Sequence, residues 1–394
     1  MNSYDAWNPP SPGPYPAQAA PQPPAGPQPP VAQGPYPGGC APYPGYALPY
    51  PYPAQPAAVP RPASFQPKRR DPRKHGARMA LNQTAAIVLV QTLLGLLLQL
   101  VVLAICWGAS LSLDLLTDSF AMVLLTTALS PLATGLPALG WLLISKPDWN
   151  QVLRFERVGF FSSLLWVFAG LGLSLAGNYP AMLVDALLNR LGAKEPFQTL
   201  GQGDSWVNLA VEFFGVAILV PLVEEFAFRG AIFSTLEKYG GGFAIVGSAL
   251  IFGMAHLNPS SVVFASIAGL GMALVYAKTR NLWLTVAIHA LNNGIAVVGS
   301  YSGLLGLSDG GKSLFEALLM IIPVALGTVS FMILLVIGHR KKQAAQRQPQ
   351  PQPQLPPPAL APMRGGEAAV CLLSAPLLWG LFVLCLAQAL ILFL

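Results

Sequence analysis

Glu224-Glu225-x-x-x-Arg229 sits inside a hydrophobic stretch, between apolar runs at 213–223 and 231–236. Charge is expensive there: insertion scales give roughly 2.5 to 3.5 kcal/mol for Asp, Lys or Arg at the centre of a membrane helix. Glu225 and Arg229 are four residues apart, so on a helix they share a face and can neutralise each other. Glu224 points about 100° away around that helix and has no local cation. A buried carboxyl of that kind suits a general base, or bridges helices by a hydrogen bond.

Histidine is the second exception. The chain has 4 of them. His75 and His339 lie in basic flanks, whereas His256 and His289 are expected within hydrophobic spans. A lone histidine there often bridges helices; two of them, with a Glu-Glu pair in a preceding span, suggest a shared site. Asn293 follows His289 by four residues, so both can face one point. Both can donate hydrogen bonds, as an oxyanion site requires. Phe252 shares a face with His256 and either walls the site or packs. At 1.5 Å per residue from the nearest turn, Glu224 and His256 reach matching depths of roughly 21 and 22 Å. His289 starts shallower, so a tilt, a short span or a dipping loop must absorb the difference.

Such a set suits hydrolysis of a peptide bond. Glu224 could take a proton from water, His256 could position that water, and His289 and Asn293 could hold the oxyanion. Alternatively Glu224, His256 and His289 could be three ligands of a divalent ion such as zinc, with water as the fourth. The spacing leaves both mechanisms open. There is no His-Glu-x-x-His zinc helix, no Gly-x-Ser-x-Gly elbow and no pair of aspartates in a span.

Glu224-Glu225-x-x-x-Arg229, Phe252-x-x-x-His256 and His289-x-x-x-Asn293, in that order on separate hydrophobic segments, resemble the CPBP intramembrane metalloprotease family. That family includes type II CAAX prenyl endopeptidases, lysostaphin-resistance-like proteins and Abi-type immunity proteins. The resemblance covers about 206–300. It implies a helical endopeptidase with its site inside the bilayer, water activated by Glu224, the motif histidines at His256 and His289, and Asn293 supporting the oxyanion. It implies a membrane-anchored substrate, prenylated in the CAAX-type members, while the spacing of Glu225, Arg229 and Phe252 gives these three a supporting place.

These residues need a scaffold, and the composition describes it. Of 394 residues, 54% are hydrophobic and 10% charged, against roughly 25% charged in a soluble domain. The expected fold class is all-α, a polytopic transmembrane helix bundle of about eight spans plus a C-terminal hydrophobic span, with disordered Pro-rich tails. Spans are read near 84–108, 120–144, 159–177, 206–238, 241–257, 260–277, 282–300 and 316–337. Residues 178–205 read as a polar connection, and Pro221 as the cause of a kink in 206–238.

The organisation reads as a Pro/Tyr-rich tail over 1–67, a basic juxtamembrane segment over 68–83 and N-terminal helices over 84–205. A catalytic core over 206–300 follows, then an eighth span with its basic flank over 301–342, a Gln/Pro-rich linker over 343–367 and an anchoring span over 368–394. The net charge of +6 gathers at span ends, so it serves topology rather than nucleic-acid binding. The basic run at 68–78 places the N-terminus in the cytoplasm, by expectation of a bacterial cytoplasmic membrane. No cleaved signal peptide is expected. The tail is a possible site for partners of unknown identity. Two other functions fit the composition: a non-catalytic scaffold or immunity protein of the same fold, and a proton-coupled transporter using the buried Glu and His as a relay.

Overall fold

The computed structural model describes residues 71–108, 119–194, 205–347 and 361–393. The tail over 1–67, the stretch 109–118 between the first two expected spans, and linker residues 348–360 lie outside the described residues. Among the described residues there is no strand, only an isolated bridge between Phe155 and Asn281. The molecule is an all-α polytopic membrane bundle. Seven helices are long and apolar enough to cross a membrane, or up to eight if a bent C-terminal pair is one span.

Helix α1 is Pro72–Gly108, α2 is Ser119–Ser145 and α3 is the single turn Trp149–Val152. Asp71 caps α1 by accepting from Arg73 N at 2.9 Å, with Pro72 at the first helical position. The Arg73 side chain holds the Asp71 carboxyl below the usual carboxylate range. Helix α4, Phe160–Ala176, is followed after Gly177 by α5, Asn178–Arg190. The expected polar connection therefore begins as a helix. Its apolar Met182, Leu183 and Leu187 stay exposed while Ala181 is buried.

Helix α6 runs from Trp206 to Glu237 and passes through Pro221 without interruption. It has two π-helical stretches, Phe213–Leu219 and Phe226–Phe233, on either side of the proline. Helix α7, Gly241–Met254, has 14 residues. That is about 21 Å, short of the roughly 30 Å of hydrocarbon, so the span expected over 241–257 reaches only part of the way. Helices α8, Pro259–Thr279, and α9, Leu282–Ser300, complete the segment that carries the motifs. Asn258 caps α8 through Ser260 N and Ser261 N, and Asn281 caps α9 through Trp283 N. Helix α10, Asp309–Arg347, crosses α4 closely: a Cβ on Gly172 would meet Gly327 Cα at 2.7 Å, so the crossing requires glycine.

The C-terminal apolar stretch forms α11, Gly365–Leu373, and α12, Pro376–Ile391, bent by 64°. Both dock on the bundle. Leu377 N donates to Asn82 Oδ1 at 3.1 Å, and Cys385 Sγ contacts Met254 O at 3.5 Å. Glu367 pairs with Arg73 and Lys74, each at 3.4 Å. At the same end of the bundle, Glu237 pairs with Arg154 at 2.9 Å and, through its other oxygen, with Arg280.

Candidate active site

The site is built on α6. Glu225 and Arg229 are both fully buried, and Glu225 Oε2 lies 3.1 Å from Arg229 Nε. The contact is ionic rather than a well-aligned hydrogen bond, since neither atom has a hydrogen-bond partner by geometry. Arg229 is also held by Gly269 O at 3.4 Å from Nη2, and its guanidinium lies 4.9 Å from the centre of the Phe252 ring. A buried cation over an aromatic face is a favourable arrangement. The pairing read from the four-residue spacing is thus present, with Phe252 of α7 and the backbone of α8 completing it.

His289 of α9 joins the same carboxylate. Its Nδ1 lies 2.9 Å from Glu225 Oε1, and its ring is nearly buried. A carboxylate can only accept, so Nδ1 carries the proton and a neutral ring keeps its lone pair on Nε2. That Nε2 is 3.8 Å from Glu224 Oε2. Glu224 is more open than its neighbour, with 14% of its side chain exposed against 0% for Glu225. The two adjacent glutamates therefore sit in different environments, one neutralised and buried, one facing an imidazole across a gap.

His256 is not inside a span. It lies in the turn after α7, exposed, next to Leu257 with its positive φ of 60°. The shortness of α7 explains this: the helix ends two residues before the histidine. His256 Nδ1 bonds Phe252 O at 2.9 Å, which again leaves Nε2 as the acceptor of a neutral ring. The Phe252 ring stands between the two imidazoles, 5.1 Å from His256 and 5.7 Å from His289, edge to face in both cases.

Asn293 is explained by the register of α6. In the first π stretch Val220 N donates to Gly215 O, five residues back. In that register the amide for Val216 O belongs to position 221, where proline has none. Asn293 Nδ2 supplies the missing donor at 2.9 Å. One amide hydrogen of Asn293 remains for another acceptor. Asn292, buried, donates to Asn293 Oδ1 at 3.3 Å and so fixes which edge of Asn293 meets Val216. The sequence reading gave no role to Asn292 or Val216. The available signals were the second asparagine in an apolar run and Pro221 eight residues after Phe213.

Among the described residues no three His, Cys, Asp or Glu side chains converge to hold an ion. Glu224, His256 and His289 as placed do not form a three-ligand set.

The class defined by this fold and site is a polytopic helical membrane protein with a carboxylate–imidazole cluster buried among its spans. Residues 206–295 match the family model described as type II CAAX prenyl endopeptidase Rce1-like. The resemblance carried by the three motifs is therefore borne out. The chain is similar to the candidate membrane peptidase YdiL of Bacillus subtilis (strain 168), 28% identical over 159 residues, which is 40% of this chain and 65% of the relative. It is also similar to the membrane-embedded CAAX protease MroQ of Staphylococcus aureus (strain USA300), 33% identical over 98 residues, 23% of this chain and 40% of the relative. The chain spans less than two thirds of the length of these relatives. No solved structure matches it.

Proposed function

We propose that the chain is an intramembrane endopeptidase that hydrolyses a peptide bond of a membrane-anchored protein, with Glu224 as the general base. The observation that carries this reading is the division of labour within Glu224-Glu225. Arg229 and His289 occupy Glu225, while Glu224 faces His289 Nε2 at 3.8 Å. A water beside that gap can donate one hydrogen to Nε2 and the other to the Glu224 carboxylate.

Glu224 takes a proton from this water as its oxygen attacks the carbonyl carbon. The second N–H of Asn293 is the donor available to the oxyanion. His256 Nε2 is a second acceptor that can orient water or substrate. Glu224 then returns the proton to the leaving amine as the C–N bond breaks. A prenylated CAAX-type substrate is a narrower reading that rests on the family match and the name of one relative. The basic ends of the helices are assigned to the cytoplasmic face.

The test compares new peptide termini in native membranes carrying the wild-type chain or Glu224→Gln at matched levels. Termini that appear only with the wild type are expected. Identical termini, with both proteins folded, would return the chain to the scaffold reading.

A further inference from the structure

A groove of about 610 Å³ lies between α1 and α2 and ends at the turn that carries His256. Ala255 and Leu257, the two neighbours of His256, form part of its wall. On α2 the groove is lined by Thr134. The next residue, Gly135, packs on Val223, the residue before Glu224: a Cβ there would lie 3.0 Å from Val223 Cγ1. The groove therefore reaches the turn that carries His256, and the α2 wall beside it packs on α6 one residue before Glu224.

Its walls are unusual for a membrane bundle. Gln91, Gly95 and Gln99 of α1 fall at four-residue spacing and so share one face. Ser130 and Thr134 do the same on α2. Polar side chains on facing membrane helices ordinarily bond across the interface. Here a cavity lies between them, and their side chains line it among mostly apolar neighbours such as Leu96, Leu103 and Leu129.

We propose that this groove binds an extended peptide segment of a single-span substrate. The proposal rests on the endopeptidase reading and names the form in which substrate reaches the site. An unwound peptide in the bilayer carries a bare N–H and C=O at every residue, and all must be satisfied by protein. Carboxamides and hydroxyls on both walls supply such partners, and the leucines between them suit the apolar side chains of the same peptide; an acyl or prenyl chain would use only the apolar part and leave the polar groups unpaired. The dimensions agree. Gln91 and Gln99 are about 12 Å apart along α1, the length of roughly four extended residues.

The groove also has a side. Its α2 residues lie within 125–134 and its α1 residues within 91–103, while Arg73, Lys74, Lys146 and Arg154 mark the opposite end. The unwound segment is therefore drawn from the half of the bilayer remote from the basic ends.

The test places a photo-crosslinking residue at Leu129, within the groove, in the full chain carrying Glu224→Gln, in phosphatidylethanolamine/phosphatidylglycerol vesicles. Three probes are offered: a single-span peptide with a central Gly-Pro break, the same peptide with an unbroken Leu/Ala helix, and a farnesylated tetrapeptide. The broken peptide is expected to give the main adduct. Gln91→Leu with Gln99→Leu should lower that adduct about tenfold, the loss of one or two buried hydrogen bonds. Those substitutions remove polar groups from a span, so insertion is not compromised. Gly95→Leu, which fills the groove where a Cβ would already lie 3.8 Å from Ala133 Cβ, should lower it as well. Adducts only with phospholipid or the farnesylated probe, or equal capture by the double leucine variant, would overturn the proposal. Peptide capture with no Glu224-dependent termini would instead sink the endopeptidase reading and leave the groove standing.

Discussion

Two adjacent glutamates carry opposite expectations. Glu225 is buried against Arg229 and His289, so removing its cation leaves an uncompensated charge. Arg229→Ala should cost about 3–5 kcal/mol, read as a large fall in thermal midpoint in detergent. Glu224 has no cationic partner of that kind, so Glu224→Gln should keep the midpoint and remove cleavage. An Arg229→Ala protein as stable as the wild type would show the pair to be dispensable for folding. The three motifs were legible because charge, imidazole and amide are conspicuous in apolar runs. The pairing of Glu225 with Arg229 followed from their spacing alone. That His289 also binds Glu225 was hidden, because spacing within a helix says nothing of which helix faces it.

Helix α6 shows what a missing amide does to an element. Pro221 reads as a kink, since a proline in an α-helix loses one hydrogen bond and crowds the preceding turn. The protein widens the helix before and after it. The π register is common at functional positions, and it transfers one orphaned carbonyl, Val216 O, to Asn293 of α9. This link is testable by a cycle. Asn293→Ala alone leaves the carbonyl unpaired and should cost about 1–3 kcal/mol. Pro221→Ala restores an amide that can serve Val216 O, so in that background the same asparagine substitution should cost distinctly less. Equal costs in both backgrounds would mean that the two residues act independently. The short α7 was hidden for a different reason. Residues 255–257 are as apolar as the helix before them, apart from His256, so hydropathy alone does not mark where the helix stops.

At the scale of the whole molecule, the basic residues gather at one end. Arg73 and Lys74 meet Glu367 there, and Arg154 and Arg280 meet Glu237. The opposite end holds Asp185, Arg190, Lys194, Asp309, Lys312 and Glu316, a mixed set. Lys and Arg in short loops set orientation, so the Arg73 end is expected in the cytoplasm. Helix α10 tests this directly, because its two ends lie on opposite sides: Asp309 is in its first turn and Lys342 near its last, both exposed. A membrane-impermeant maleimide applied to intact cells should label Asp309→Cys and spare Lys342→Cys until the membrane is opened. Cys106, Cys371 and Cys385 are buried, and the labelling is done in a Cys40→Ser background so that the introduced thiol alone is read. The opposite labelling would invert the molecule. It would also bring the α1–α2 groove to the cytoplasmic half of the bilayer, so that the unwound segment would be drawn from that half.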